Sequence, residues 1–200
     1  MPNKSSIIAE MQFEGIHSKN AINTTGARAY TITYQYATTS EPSNFPRPGE
    51  YSGWTPFSAS ERTAFEKALA ELESVINVNF VEVRGQADPV LDVGKIDLTG
   101  TTTGKGGYSS SSIGDTIVSY EAFAVFKNTL NLADGSNTTE NLLLHELGHA
   151  LGLKHPDSPP ALPAAQENNK FTVMSYVANP DNGQRSDGLQ LYDILALQDT

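Results

Sequence analysis

The stretch from Leu142 to Pro156, LLLHELGHALGLKHP, holds three of the four histidines in the 200-residue chain. Asn137 and Glu140 read as an N-cap pair for a helix over this stretch. Leu142, Leu143, Leu144, Leu147, Ala150 and Leu151 give that helix apolar surface on most sides, so it belongs in the middle of a domain. Residues four apart share a face, which lets His145 and His149 present both imidazoles in one direction, with Glu146 one position round from the first. Gly152 can take the positive φ that ends a helix and reverses the chain, bringing His155 back toward the same point.

Three imidazoles around one metal ion leave a coordination position open, the arrangement of catalytic and not of structural zinc. A carboxylate beside the ion but not bound to it, here Glu146, can take a proton from a water whose pKa the metal lowers to about 7, from about 15.7 in bulk. The spacing HExxHxxGxxH is the metzincin pattern, met at His145, Glu146, His149, Gly152 and His155 without substitution. The chain has no cysteine, so thiolate metal sites and disulfides are excluded. His17 stands alone and carries no role. About twenty residues beyond His155, FTVMSYVANP supplies Met174 where metzincins place a methionine turn beneath the metal, and Tyr176 follows it.

The remainder frames this motif. Two hundred residues with 38% hydrophobic content make one globular domain, and a net charge of -10 argues against a nucleic-acid partner or an anionic membrane surface. The opening MPNKSSIIAEMQFEG reads as neither a Sec signal peptide nor a membrane span. Tyr30, Ile32, Tyr34 and Tyr36 alternate with polar residues as on a half-buried strand. After a Pro-, Gly- and Ser-rich loop, Ser58 and Glu61 form a capping box for a helix whose core face is Phe65, Ala68, Leu69, Leu72, Val75 and Ile76. VNFVEV is a second strand; Gly94 to Leu98 and Thr116 to Tyr120 are further short strands, and GKGGYSSSS between them is a loop or an exposed edge.

HELGHALGLKHP, VMSY and the C-terminal LYDILALQ together resemble the serralysins, bacterial metzincin endopeptidases, and the likeness covers roughly residues 28 to 198. It implies an α+β, α/β-like zincin fold: a twisted five-stranded, mostly parallel sheet with an antiparallel edge strand, an active-site helix and a C-terminal helix. It further implies a secreted zinc endopeptidase acting on polypeptides, open to a proteinaceous inhibitor, monomeric, with no nucleic-acid or membrane partner. By the same resemblance Tyr176 is a zinc ligand at rest that swings to the tetrahedral intermediate. Gly107, Tyr108, Ser109, Ser110 and Ser111 form the edge on which an extended substrate adds as a strand.

The chain departs from that pattern where DSPPALPAAQ follows the third histidine, since the family leads one to expect an early glycine. Serralysins also bind Ca2+ through glycine- and aspartate-rich repeats, and none occurs in these residues. Residues 1–27 stand as an N-terminal extension of unclear role before a catalytic domain at 28–200. Two other readings stay open: a non-catalytic metal-containing peptide-binding module of the same fold, and a zinc enzyme acting on other bonds. Glu146 speaks against the first, because a binding module gains nothing from a base there.

Overall fold

The computed structural model describes residues 3–17, 19–20, 28–85 and 88–199. Chain order runs α1 (Lys4–Met11), α2 (Glu14–His17), β1 (Tyr30–Tyr36), α3 (Ala59–Val75), β2 (Val78–Glu82), β3 (Leu91–Ile96), β4 (Gly104–Ile113), β5 (Thr116–Lys127), α4 (Asn137–Ala150) and α5 (Leu191–Leu197). The strands form one sheet in the order β2-β1-β3-β5-β4. All neighbours are parallel except β4 and β5, so β4 is the antiparallel edge. This is the α+β arrangement expected of a metzincin domain.

Strand β1 buries Ile32, Tyr34 and Tyr36 on one face as the alternation predicts, while Tyr30 at its start stays exposed. Helix α3 carries the predicted capping box, Ser58 with Glu61, and buries Phe65, Ala68, Leu69 and Leu72. Three expectations are corrected. β3 occupies 91–96, not 94–98; all six residues are buried, and Asp92 and Lys95 disguise it as something wetter. Those charges are partnered, Asp92 by Gln35 at 3.2 Å and Lys95 by Glu61 at 2.6 Å. β5 continues from Tyr120 to Lys127, because AFAVF lies between two strands and has no polar face to display. The N-cap of α4 is Ser136, whose hydroxyl accepts from the Thr139 N–H; Asn137 is already helical.

The N-terminal residues pack against the same body. Ile7, Ile8 and Met11 of α1 are buried, and α1 lies along α5. Gln12 donates through Nε2 to the Ala196 carbonyl at 2.8 Å, and the Lys154 N–H donates to the Met11 carbonyl at 2.8 Å. Of the 1–27 segment, residues 1–2, 18 and 21–27 lie outside the described residues. Among the described residues, no helix is long and apolar enough to cross a membrane.

Candidate metal centre

Helix α4 is buried along most of its length, with Leu143, Leu144, Leu147 and Ala150 in the core. Its two histidines are held by backbone carbonyls. His145 Nδ1 lies 3.0 Å from the Val173 carbonyl oxygen and His149 Nδ1 lies 2.8 Å from that of Leu153. A carbonyl only accepts, so each Nδ1 carries the proton and each Nε2 is left as a lone pair. The chain reverses at Gly152, whose φ is +94°, and a Cβ there would sit 2.8 Å from Ile16. The reversal brings His155 Nε2 to 3.2 Å from His145 Nε2 and 2.9 Å from His149 Nε2.

Three converging Nε2 atoms, two of them bearing lone pairs, suit a cation. Imidazoles at about 2.0–2.1 Å from a tetrahedral ion stand roughly 3.3 Å apart, close to the two spacings to His155, and the three ligand atoms all lie within 4.8 Å of one another. Among the described residues these three histidines are the one group of His, Cys, Asp or Glu disposed to hold a metal. Burial lowers His145 to about 4 and His149 to about 3, so both rings are neutral, the form that ligates.

Glu146 lies against β4, lines the same cavity as His145, and is 5% exposed. Burial pushes its carboxyl up to about 8, with hydrogen bonding from the Gly106 backbone acting in the opposite sense, and a cation held by the three histidines would also favour the ionised, proton-accepting form. Two glycines of β4 make room for it. A Cβ on Gly106 would lie 2.1 Å from the Glu146 carbonyl oxygen, and one on Gly104 would lie 2.7 Å from Oε1. Glycine-rich composition in this strand therefore reflects close approach of an edge strand to a helix.

Tyr176 is 61% exposed, and its hydroxyl lies 2.8 Å from His155 Nε2. Met174 is fully buried; a Cβ on Gly148 would meet its sulfur at 2.5 Å, so the glycine inside HELGH is the seat for that side chain. Of the edge-strand residues, Gly107 to Ser111 pair with β5 on one side, and β4 is the last strand of the sheet. Ser109, Ser110 and Ser111 are exposed, whereas Tyr108 stacks on Tyr120 at 5.2 Å.

Several residues at this site escape sequence reasoning. Asp193, within LYDILALQ, is wholly buried beneath the methionine turn, where it accepts from the Thr172 hydroxyl at 2.6 Å and the Val173 N–H at 2.9 Å. Lys154 is also buried, and its Nζ donates to the Ser158 and Pro160 carbonyls, shaping the loop after His155 that departs from the family pattern. Phe13 places its ring 6.3 Å from that of His149 and 5.8 Å from that of Tyr108. A lone acid on an otherwise apolar helix is the signal that marks Asp193; Phe13 carries none in the sequence.

A five-stranded sheet with one antiparallel edge, an HExxH helix, a glycine reversal to a third histidine and a methionine turn beneath define a serralysin-like metzincin catalytic domain. The chain belongs to peptidase family M57, the dual-action HEIGH metallo-peptidases, whose pattern matches residues 22–159. It is 25% identical over 192 residues to a serralysin of Photorhabdus laumondii, covering 86% of this chain and 38% of that protein. It is 26% identical over 193 residues to a serralysin of Photorhabdus luminescens, with 86% and 38% covered. Against serralysin C of Dickeya chrysanthemi the identity is 26% over 169 residues, with 74% and 34% covered. The chain thus spans less than two fifths of the length of these relatives.

Proposed function

We propose that this chain is a zinc-dependent endopeptidase that hydrolyses peptide bonds of proteins. The observation that carries the reading is the convergence of the His145, His149 and His155 Nε2 atoms beside the buried Glu146 carboxyl. His145, His149 and His155 hold the ion, with Tyr176 as a further ligand at rest. When bound, zinc polarises the scissile carbonyl and acidifies water.

Glu146 takes the proton of the attacking water at its carboxylate and returns it to the leaving amine. While the water attacks, before the amine leaves, the Tyr176 hydroxyl donates to the developing oxyanion. Gly107 to Ser111 pair with the extended substrate through their free backbone groups, and Met174 shapes the floor. The catalytic unit is residues 28–200, and 1–27 is an N-terminal extension whose helix α1 packs along α5. The protein is exported and monomeric, and it is open to a proteinaceous inhibitor.

The test is cleavage of casein and of a quenched peptide by zinc-loaded protein, with and without a chelator. The expected result is cleavage that the chelator abolishes and added zinc restores. Cleavage indifferent to chelation, or none by zinc-loaded protein, overturns the reading.

A further inference from the structure

Beside His145 and Glu146 opens a cavity of about 480 Å³, lined among others by Thr138, Thr139, Asn141, Leu142, Tyr176 and Arg185. Its position decides its relevance: the proposed base and one proposed ligand form part of its wall, so a substrate held across the metal site lies over its mouth. Its wall mixes apolar surface, from Leu130 and Leu142, with threonines from two segments of chain. Arg185 is the one Lys or Arg in that wall and Glu146 the one acid.

Arg185 is held in place and yet under-used. Its carbonyl accepts from Asn137 Nδ2 at 3.3 Å, and the neighbouring Ser186 carbonyl accepts from Asn141 Nδ2 at 3.0 Å, which ties this loop to the first turns of α4. Its Nη1 donates to the Ser175 carbonyl at 2.7 Å. No carboxylate among the described residues pairs with it, whereas Arg62, Lys67, Arg84, Lys95, Lys105 and Lys170 each have one. A guanidinium offers five N–H donors in a fork that matches a carboxylate, and the bond to Ser175 uses one of them. What sets Arg185 apart is its place: it is the cation of this wall, beside the reaction centre, in a chain of net charge -10.

Resting on the peptidase reading, we propose that this cavity is a substrate subsite in which Arg185 recognises a carboxylate close to the scissile bond. Two sources supply that chemistry: the side chain of an Asp or Glu flanking the bond, and the free C-terminus of a short peptide. Arg185 acts as a specificity residue, and its effect is a ratio between substrates.

Calorimetry on zinc-loaded Glu146→Gln protein tests this without turnover. The probes are short peptides identical except for Glu or Gln at one position flanking the target bond, each with a free and an amidated C-terminus. The expected result is tighter binding of the carboxylate-bearing peptide by about ten- to a hundred-fold, collapsing toward unity in Arg185→Gln and partly kept in Arg185→Lys. A preference that follows Glu identifies an acidic side chain; one lost on amidation identifies the chain end. Equal affinity for all four peptides, no binding of any, or a preference that survives Arg185→Gln overturns the proposal. Zinc-dependent cleavage without a carboxylate preference leaves the peptidase reading standing and removes this subsite. Carboxylate binding through Arg185 without cleavage by the wild type does the reverse.

Discussion

Asp193 accepts the Val173 N–H at 2.9 Å, and the carbonyl of the same Val173 lies 3.0 Å from Nδ1 of His145. One peptide segment thus transmits the position of helix α5 to the ring of a proposed metal ligand. Asp193 also accepts from the Thr172 hydroxyl at 2.6 Å and the Gln190 N–H at 2.9 Å, so three donors meet one fully buried carboxyl. Burial raises that carboxyl to about 6, with the three donors acting against the rise.

Asp193→Ala leaves those donors without an acceptor and loosens the carbonyl that orients His145. Outer partners of metal-bound histidines typically govern about 10- to 100-fold in metal affinity. The expected result is a weakening of zinc binding in that range, read by competition with a chromogenic chelator. Zinc affinity equal to wild type would show that α5 does not position the site.

Glu61 and Lys95 form a buried pair at 2.6 Å, and Glu61 also accepts from the Ser58 and Leu132 N–H groups. Burial alone would raise the Glu61 carboxyl, but these donors prevail and lower it from 4.5 to about 2. A depressed acid contributes stability that is present above pH 4.5 and lost as pH falls through about 2. The contribution is about 3 kcal/mol. Urea denaturation of metal-free protein between pH 6 and pH 2 is expected to show this loss in wild type and a much flatter profile in Glu61→Gln, which is already destabilised near neutrality. Parallel profiles would remove the pair from the account.

What was legible in the sequence follows its periodicities. The motif at His145 to His155 works through the helical repeat and one glycine, both local, so a linear reading finds it. The buried faces of β1 and α3 are legible for the same reason. β3 hides because Asp92 and Lys95 acquire their side-chain partners from β1 and α3, 57 and 34 residues away. Arg185 and Phe13 are silent, and Asp193 shows only as a lone acid on an apolar helix, because their meaning is a distance across the fold: each reaches the site from a different segment. Even the glycines of β4, read as a sign of a loop or edge, mark contact with Glu146, which no composition reveals.

Gly106→Ala tests that contact. With 2.1 Å between the new Cβ and the Glu146 carbonyl oxygen, β4 must move off α4. A loss of about 1–3 kcal/mol in unfolding free energy is expected, the range for overpacking. Ser110→Ala on the same strand is exposed and is expected to shift stability by less than about 0.5 kcal/mol. Equal stability of the two variants would mean the edge strand is not seated against the helix.

Tyr176→Phe separates hydroxyl from ring. The variant is expected to keep its zinc, held by three histidines, with kcat lowered by roughly one to three orders of magnitude and KM little changed. Steady-state kinetics on one peptide, with metal analysis of the same sample, provides the check. A wild-type kcat would make Tyr176 a packing residue whose 2.8 Å approach to His155 has no catalytic meaning.

The division of labour between three metal-holding histidines and one base is tested most directly at Glu146. Zinc content and peptide turnover, measured on a single preparation of Glu146→Ala, read both halves at once. The expected result is one zinc per chain, as in wild type, with turnover lower by about 10²- to 10⁴-fold or more. Loss of the zinc would make Glu146 a ligand, and turnover near the wild-type rate would show that the proton is moved by another group; either result contradicts the mechanism.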